Sequence, residues 1–303
     1  MTPTTDDAVL AALRRLLPDR DAKALAGARH TPLEGGINRR SFLVVLGAER
    51  WVLRLPTPGT AGLIDVATEA TAMRAAAAAG LAPTVVAVDS ANGTLLTTYR
   101  AGAVAWTAAD ARRLRNLERA ARLLRALHGI DARIPAYAAE EISRGYLTAL
   151  SSGVSPEPTR PGGVRIAAWS DELLELARAF DARHPPVALC HNDLAAANFI
   201  DDGPGGDAGR TGGALLLVDF EYAVRSSPLL DLAGLAGMND FSAAQRRDLL
   251  DVYGEGAPTA TELDRAVRMV RLMSFFWARL GAQRAADAAP YLRLAVELGE
   301  RLA

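Results

Sequence analysis

Cysteine, lysine and net charge are all scarce in this sequence. Cys190 is the only cysteine in 303 residues. That excludes an intrachain disulfide framework and a multi-cysteine metal site. Lys23 is the only lysine among 34 basic residues, so any site that needs a cation must use arginine. A formal charge of -1 and a pI near 6.5 exclude a strongly basic nucleic-acid binder. Long apolar runs are missing too. The alanine stretch Ala75–Ala79 meets Gly80 and Pro83 and is too short to span a bilayer. Asp6 and Asp7 precede the first apolar stripe, where a signal peptide would carry positive charge. The expectation is a cytoplasmic protein with neither a membrane nor a nucleic acid as partner.

The chain does have an ordinary globular balance, 50% hydrophobic and 23% charged. Its length suits about two domains, at roughly 100–200 residues each. Residues 6–17 read as an amphipathic helix. Ser41–Leu46 and Trp51–Leu55 are β-rich runs around Gly47–Arg50, a hairpin signal. A helix over 65–79 ends at Gly80, and strands over 84–88 and 94–98 flank the turn at 90–93. After Gly102 the pattern turns helical. A long Arg-rich helix is predicted over 108–128, with Leu114, Leu117, Ala121, Leu124 and Leu127 on its apolar face. Helices over 137–150 and 170–180 follow, separated by a Ser/Pro/Gly loop, Ser151–Gly163. Short strands are predicted at 187–189 and 214–218, with a Gly-rich hairpin tip over 201–213 and helices from 228 onward. The expected fold is α+β: a small β-rich N-terminal lobe, 1–98, and a larger, mostly helical C-terminal lobe, 99–303.

Three motifs carry chemistry. His191-Asn192-Asp193-Leu194 with Asn198 fits H-x-D-L-x-x-x-N, a catalytic-loop pattern for phosphoryl transfer. An Asp at the loop tip can accept a hydroxyl proton, and an Asn five residues on can turn back to hold a metal ion. The buried run Ala214–Val218 delivers Asp219-Phe220-Glu221, close to D-F-G with Glu for Gly. An acid at the end of an apolar strand is a natural partner for a divalent cation on phosphates, although such an Asp can also cap the next turn. Gly35, Gly36 and Asn38, before the second β run, permit a tight backbone able to approach phosphates; an ordinary Gly-rich turn has the same composition. Arg54, between Leu53 and Leu55, is a candidate inward cation, and Glu69 on the following helix is its candidate partner.

Together with TTYRAG, LRALHGI and Asp231-Leu-Ala, these motifs resemble the aminoglycoside phosphotransferase and choline kinase superfamily, from about Leu33 to Arg279. That superfamily has the protein-kinase-like bilobal fold. Arg54 in place of lysine, HNDL, DFEYA and the aromatic helix at 271–280 lean toward its choline/ethanolamine kinase-like branch. The resemblance implies an ATP- and Mg2+-dependent kinase acting on a small, cationic, hydroxyl-bearing acceptor of the choline or ethanolamine kind; a thiamine or aminoglycoside phosphotransferase, or a non-catalytic nucleotide-binding pseudokinase, is the alternative. It implies that Asn198 and Asp219 hold the metal and that Asp193 serves the acceptor hydroxyl. Arg54 and Glu69 would handle phosphate charge, and Thr98, Tyr99 and Arg100 would hold the adenine. Glu221, Tyr222 and Trp277, with Phe276, are candidates for an aromatic and acidic cation site. Tyr146 and Trp169 are further candidates. An aromatic cluster on an amphipathic helix serves core packing equally well. His191 and Asp231 are read as structural braces of the loop. Cys190 is read as a small buried hydrophobe, and His30, His128 and His184 share no ligand spacing.

Overall fold

The computed structural model describes residues 5–33, 39–57, 65–152, 163–203, 213–285 and 287–303. The chain packs as two units, one from Met1–Val104 and Ile200–Tyr222, the other from Ala105–Phe199 and Ala223–Ala303. The first unit therefore draws on two separate stretches of sequence.

Unit 1 begins with α1 (Thr5–Leu16) and α2 (Ala22–Ala26). Acids in the first turn of α1 and arginines in its last suit the helix dipole. The unit is built on a five-stranded antiparallel sheet of order β1-β2-β3-β5-β4. Its strands are β1 (Arg29–Leu33), β2 (Arg39–Leu46), β3 (Glu49–Pro56), β4 (Val85–Asp89) and β5 (Thr94–Thr98). Period-two alternation buries Trp51, Leu53 and Leu55 on one face of β3. They join Phe42, Val44 and the α1 residues Val9, Leu13 and Leu16 in one apolar core. Arg54 has the opposite parity and reaches α3 (Val66–Ala78), so α3 covers the other face. Asp65 starts α3 as its N-cap, accepting from the Ala67 and Thr68 N–H groups at 3.0 and 3.2 Å.

β6 (Val104–Ala105) follows, and the later return to unit 1 runs through β8 (Phe199–Asp201) and β9 (Leu215–Leu217). The Leu217 N–H donates to the Leu81 carbonyl at 2.8 Å, tying the return segment to the first stretch. The ends of the expected hairpin tip are joined by Asp202 N–H to Ala214 O at 3.1 Å; its centre, 204–212, lies outside the described residues.

Unit 2 is helical, with one small antiparallel pair of β7 (Ala188–Cys190) and β10 (Val224–Ser226). Its helices are α4 (Ala108–Ala111), α5 (Leu114–His128), α6 (Ala139–Ser151), α7 (Gly163–Asp181), α8 (Pro228–Met238), α9 (Ala243–Tyr253), α10 (Ala260–Arg284) and α11 (Ala289–Leu302). The helix expected over 108–128 is two helices, broken at Arg112–Arg113. Side chains take up carbonyls there: Asn116 Nδ2 donates to Asp110 O at 3.0 Å and Gln245 Nε2 to Arg112 O at 2.9 Å. Leu114, expected on the apolar face, opens α5 at 57% exposure, because the break turns it away from the core. Leu117, Ala121, Leu124 and Leu127 are buried as the periodicity requires.

α8 is buried on every side from Leu229 to Gly237. A helix apolar all round belongs at the centre of a core. A Cβ at Gly237 would lie 3.6 Å from Val267 Cγ1 of α10, ordinary contact distance, so α8 and α10 pack closely there. At Gly281 of α10 a Cβ would strike the Tyr291 ring at 2.2 Å. That glycine admits Tyr291 of α11 into the α10 surface. Among the described residues, no helix is long and apolar enough to cross a membrane.

Candidate active site

Each unit assembles its own set of polar groups. In unit 1 the register of β2 on β3 pairs Ser41 with Arg54. Arg39, two residues earlier on β2, shares that face. Both guanidinium groups meet Glu69 in the first turns of α3. Arg54 Nη1 lies 3.1 Å from Glu69 Oε1, and Arg39 Nη1 lies 2.7 Å from Glu69 Oε2. The other arm of the Arg54 fork, Nη2, reaches Asp219 Oδ1 at 2.5 Å, and Arg39 Nε is 3.9 Å from Glu221 Oε2. The Arg39 and Glu69 side chains are 2% and 0% exposed, so this is a buried ionic cluster and not a surface pair.

Among the described residues the cluster joins two guanidinium groups to three carboxylates. Burial works against the charge on Arg54, but Asp219 and Glu69 outweigh it and raise its pKa. Burial pushes the Glu69 carboxyl up, against the pull of Arg54 and Arg39. Asp219 follows the apolar strand β9 with φ +67°, a left-handed conformation that Asp tolerates better than most residues.

At the end of β5, the Thr98 N–H donates to Thr84 O at 2.9 Å and the Tyr99 N–H to Arg50 O at 3.1 Å. Those two donors are held by the sheet and not offered to a base. Arg100 Nη2 lies 2.5 Å from Asp202 Oδ2. The predicted phosphate-loop residues Gly35, Gly36 and Asn38 lie outside the described residues.

In unit 2, β7 leads into the loop His191–Asn198. Asn192 takes φ +62°, turning the chain so that Asp193 follows at the tip. The Asn198 amide group donates to Asp193 O and to Asp193 Oδ2, each at 2.9 Å. Its nitrogen thus faces Asp193, and its oxygen is the end suited to a metal. The Asp193 N–H donates to His191 Nδ1 at 3.3 Å, which makes Nδ1 the acceptor and places any ring proton on Nε2. The buried Asp231 carboxylate accepts from the His191 and Asn192 N–H groups at 2.9 and 2.7 Å. His128 Nε2 lies 3.0 Å from the same carboxylate, and His128 Nδ1 lies 2.8 Å from the Tyr253 hydroxyl.

His128, Cys190 and Asp231 bring potential ligand atoms within 4.8 Å of one another. Burial, then the Asp231 charge, holds the Cys190 thiol well above its ordinary pKa, which disfavours the thiolate a metal needs. With two backbone N–H groups and an imidazole on Asp231, the group is a tether for the loop.

Burial, and secondarily the charge of Asp193, pushes the Tyr146 phenol of α6 up to about 12. Trp277 packs on Tyr291 at 5.6 Å between ring centroids, and Trp169 meets Phe275 edge-on at 5.1 Å. The predicted site residues are therefore divided. Arg54, Glu69, Asp219, Glu221 and Tyr222 belong to unit 1; Asp193, Asn198, His191, Asp231 and Trp277 belong to unit 2. Sequence reasoning missed Arg39, the second cation on Glu69. Its signal was positional, since it shares the parity of the residue opposite Arg54. It also missed Asn239, whose side chain contacts Leu194 and Ala196 of the loop.

A β-rich unit with an inward cation–acid pair, and a helical unit with an H-x-D-x-x-x-x-N loop, define the kinase-like α+β class. The sequence matches the phosphotransferase enzyme family over residues 29–266, and the chain belongs to that family. It is a kinase that transfers phosphate to a hydroxyl group. No curated protein sequence matches it. Among solved structures it is similar to a choline/ethanolamine kinase family protein from Mesorhizobium loti, with 28% identity and TM-score 0.74 over 99% of this chain and 94% of that one. A choline kinase from Streptococcus pneumoniae shares the fold at 18% identity and TM-score 0.70, over 89% of this chain and 93% of that one. The GDP and kanamycin complex of APH(2")-IIia shares it at 17% identity and TM-score 0.63, over 97% of this chain and 99% of that one.

Proposed function

We propose that the protein transfers the γ-phosphoryl group of ATP to the hydroxyl of a small cationic amino alcohol of the choline or ethanolamine kind. The observation that carries the acceptor class is the likeness to the choline/ethanolamine kinase family protein, which extends over nearly the whole chain. An adenine nucleotide is supported by the AMP complex of the streptococcal relative.

The donor sets suit Mg2+. Asp219 offers a hard carboxylate, and Asn198 offers an amide oxygen. When bound, the ion offsets charge on the phosphate oxygens. Arg54, oriented by Glu69, stabilises the same charge through its second N–H arm. Thr98, Tyr99 and Arg100 are proposed to border the adenine, with Gly35, Gly36 and Asn38 approaching the phosphates. Asp193 accepts the hydroxyl proton as the new P–O bond forms and the bond to ADP breaks. Glu221, Tyr222 and Trp277 are proposed to receive the acceptor's cationic end, while His191 and Asp231 hold the loop. Such catalysis is mainly positioning and electrostatics.

A second reading, an aminoglycoside acceptor, draws on the likeness to the kanamycin complex. The test is ADP release from Mg·ATP with choline, ethanolamine, thiamine, homoserine, methylthioribose and kanamycin, using Asp193→Ala as the blank. Turnover on choline or ethanolamine that vanishes in the variant is the expected result. Turnover on kanamycin alone moves the assignment to the second reading. Equal rates in both proteins overturn the role of Asp193.

A further inference from the structure

We propose that Asn239, at the C-terminal end of α8, is a positioning residue that holds Asp193 in place by clamping the loop segment just after it. The inference rests on the phosphotransfer reading for its catalytic meaning, but its geometry stands within unit 2 alone.

Asn239 is 2% exposed. Its Nδ2 donates to Leu194 O at 2.8 Å and to Leu235 O at 2.8 Å, and its Oδ1 accepts from the Ala196 N–H at 2.9 Å. The three partners dictate the side chain's identity and orientation. Two are carbonyls that only accept, and the third is an N–H that only donates. An amide satisfies all three; a carboxylate of the same shape faces two carbonyls with no proton to offer. The Leu235 bond takes a carbonyl left free at the helix end, so the same amide closes α8 and grips the loop.

Asp231 lies in the first turn of α8 and holds His191 and Asn192. Asn239 caps the other end and holds Leu194 and Ala196. About 12 Å of helix separates them, at about 1.5 Å per residue. The loop is thus tied to a fully buried helix on both sides of Asp193. With Asp231 alone, the segment from Leu194 to Asn198 would lack its tie to α8, and Asn198 is the residue that holds the Asp193 carboxylate. A displacement of about 1 Å at a reacting group costs on the order of 100-fold in rate.

The experiment combines hydrogen exchange with kinetics on the full-length protein. In the wild type, the Ala196 amide should exchange as slowly as those of His191 and Asn192; exchange at the rate of an exposed amide overturns the clamp. In Asn239→Ala and the isosteric Asn239→Asp, residues 191–198 should exchange faster and kcat should fall about 10- to 100-fold, with the KM for ATP within about twofold. Leu249→Ala, in the core of α9, controls for stability: lowered Tm with unchanged kcat and loop exchange is expected there. A matching kcat loss in Leu249→Ala, or unchanged kcat in both Asn239 variants, overturns the proposal. Failure of the phosphotransfer reading looks different, because Asp193→Ala would then match the wild type while the exchange pattern still tests the clamp.

Discussion

The two units secure their functional groups by different means. In unit 1, Arg39, Arg54, Glu69, Asp219 and Glu221 hold one another through side-chain charge. In unit 2, Asp231 and Asn239 hold the loop through its backbone N–H and C=O groups. A buried charge network responds to any ion added to it, because each member interacts with the whole set. A tether to backbone groups fixes position through directed hydrogen bonds, whether its anchor is a carboxylate, as in Asp231, or a neutral amide, as in Asn239. The first arrangement suits groups that must exchange partners with a nucleotide; the second suits a group that must stay still.

Replacing Asp193 by Asn should lower turnover about 100- to 10,000-fold, the usual worth of a positioned acid or base. Nucleotide affinity, read by titration calorimetry, should change little, since the proposed role of Asp193 is toward the acceptor hydroxyl and not the phosphates. Glu69→Gln strikes that network at its centre and leaves two buried guanidinium groups short of charge. A loss of about 3–5 kcal/mol in denaturant unfolding is expected. Asp231→Asn should cost about 1–3 kcal/mol, because an amide cannot accept from both backbone N–H groups without turning a donor toward one of them. Its kcat should fall further than that of Glu69→Gln at matched stability, which is the sharpest contrast between the two modes. Arg54→Lys loses the fork that spans Glu69 and Asp219; a severalfold rise in the KM for ATP, with little change in Tm, is the expected outcome.

The smallest effect concerns Asp65, the cap of the helix that carries Glu69. Its hydrogen bond from Thr68 holds the carboxyl below its ordinary range. A depressed folded-state pKa means the contribution is present above the unfolded value of 3.8 and is lost as pH falls through the folded one. Asp65→Ala should lower stability by about 1 kcal/mol at neutral pH. The difference from wild type should vanish on acidification below the ordinary carboxylate range.

Much of the molecule was legible because local pattern and tertiary role agree. Alternation marked β2 and β3, helical spacing marked α1 and α3, and the H-x-D-x-x-x-x-N spacing marked the loop. The Arg54–Glu69 pair is present at hydrogen-bond distance. What stayed hidden depends on partners distant in sequence. Arg39 reads as one of two adjacent arginines until the β2–β3 register gives it a side of the sheet. Asn239 reads as a helix-end residue until the loop arrives against it. β1 contains Pro32 and alternates poorly, as an edge strand can. The break at Arg112–Arg113 is supported partly by Gln245, far along the chain.

The discontinuity of unit 1 bears on how the protein is made. During synthesis, Arg39, Arg54 and Glu69 leave the ribosome well before Asp219 and Glu221, by on the order of 10 s at about 5–20 residues per second. Through that interval the nascent unit has two arginines sharing one carboxylate. The Arg54–Asp219 contact forms only once the segment after β9 has arrived, with Leu217 bonded to Leu81. The order of translation thus makes the unit that holds the charge cluster the first begun and, in that cluster, among the last completed.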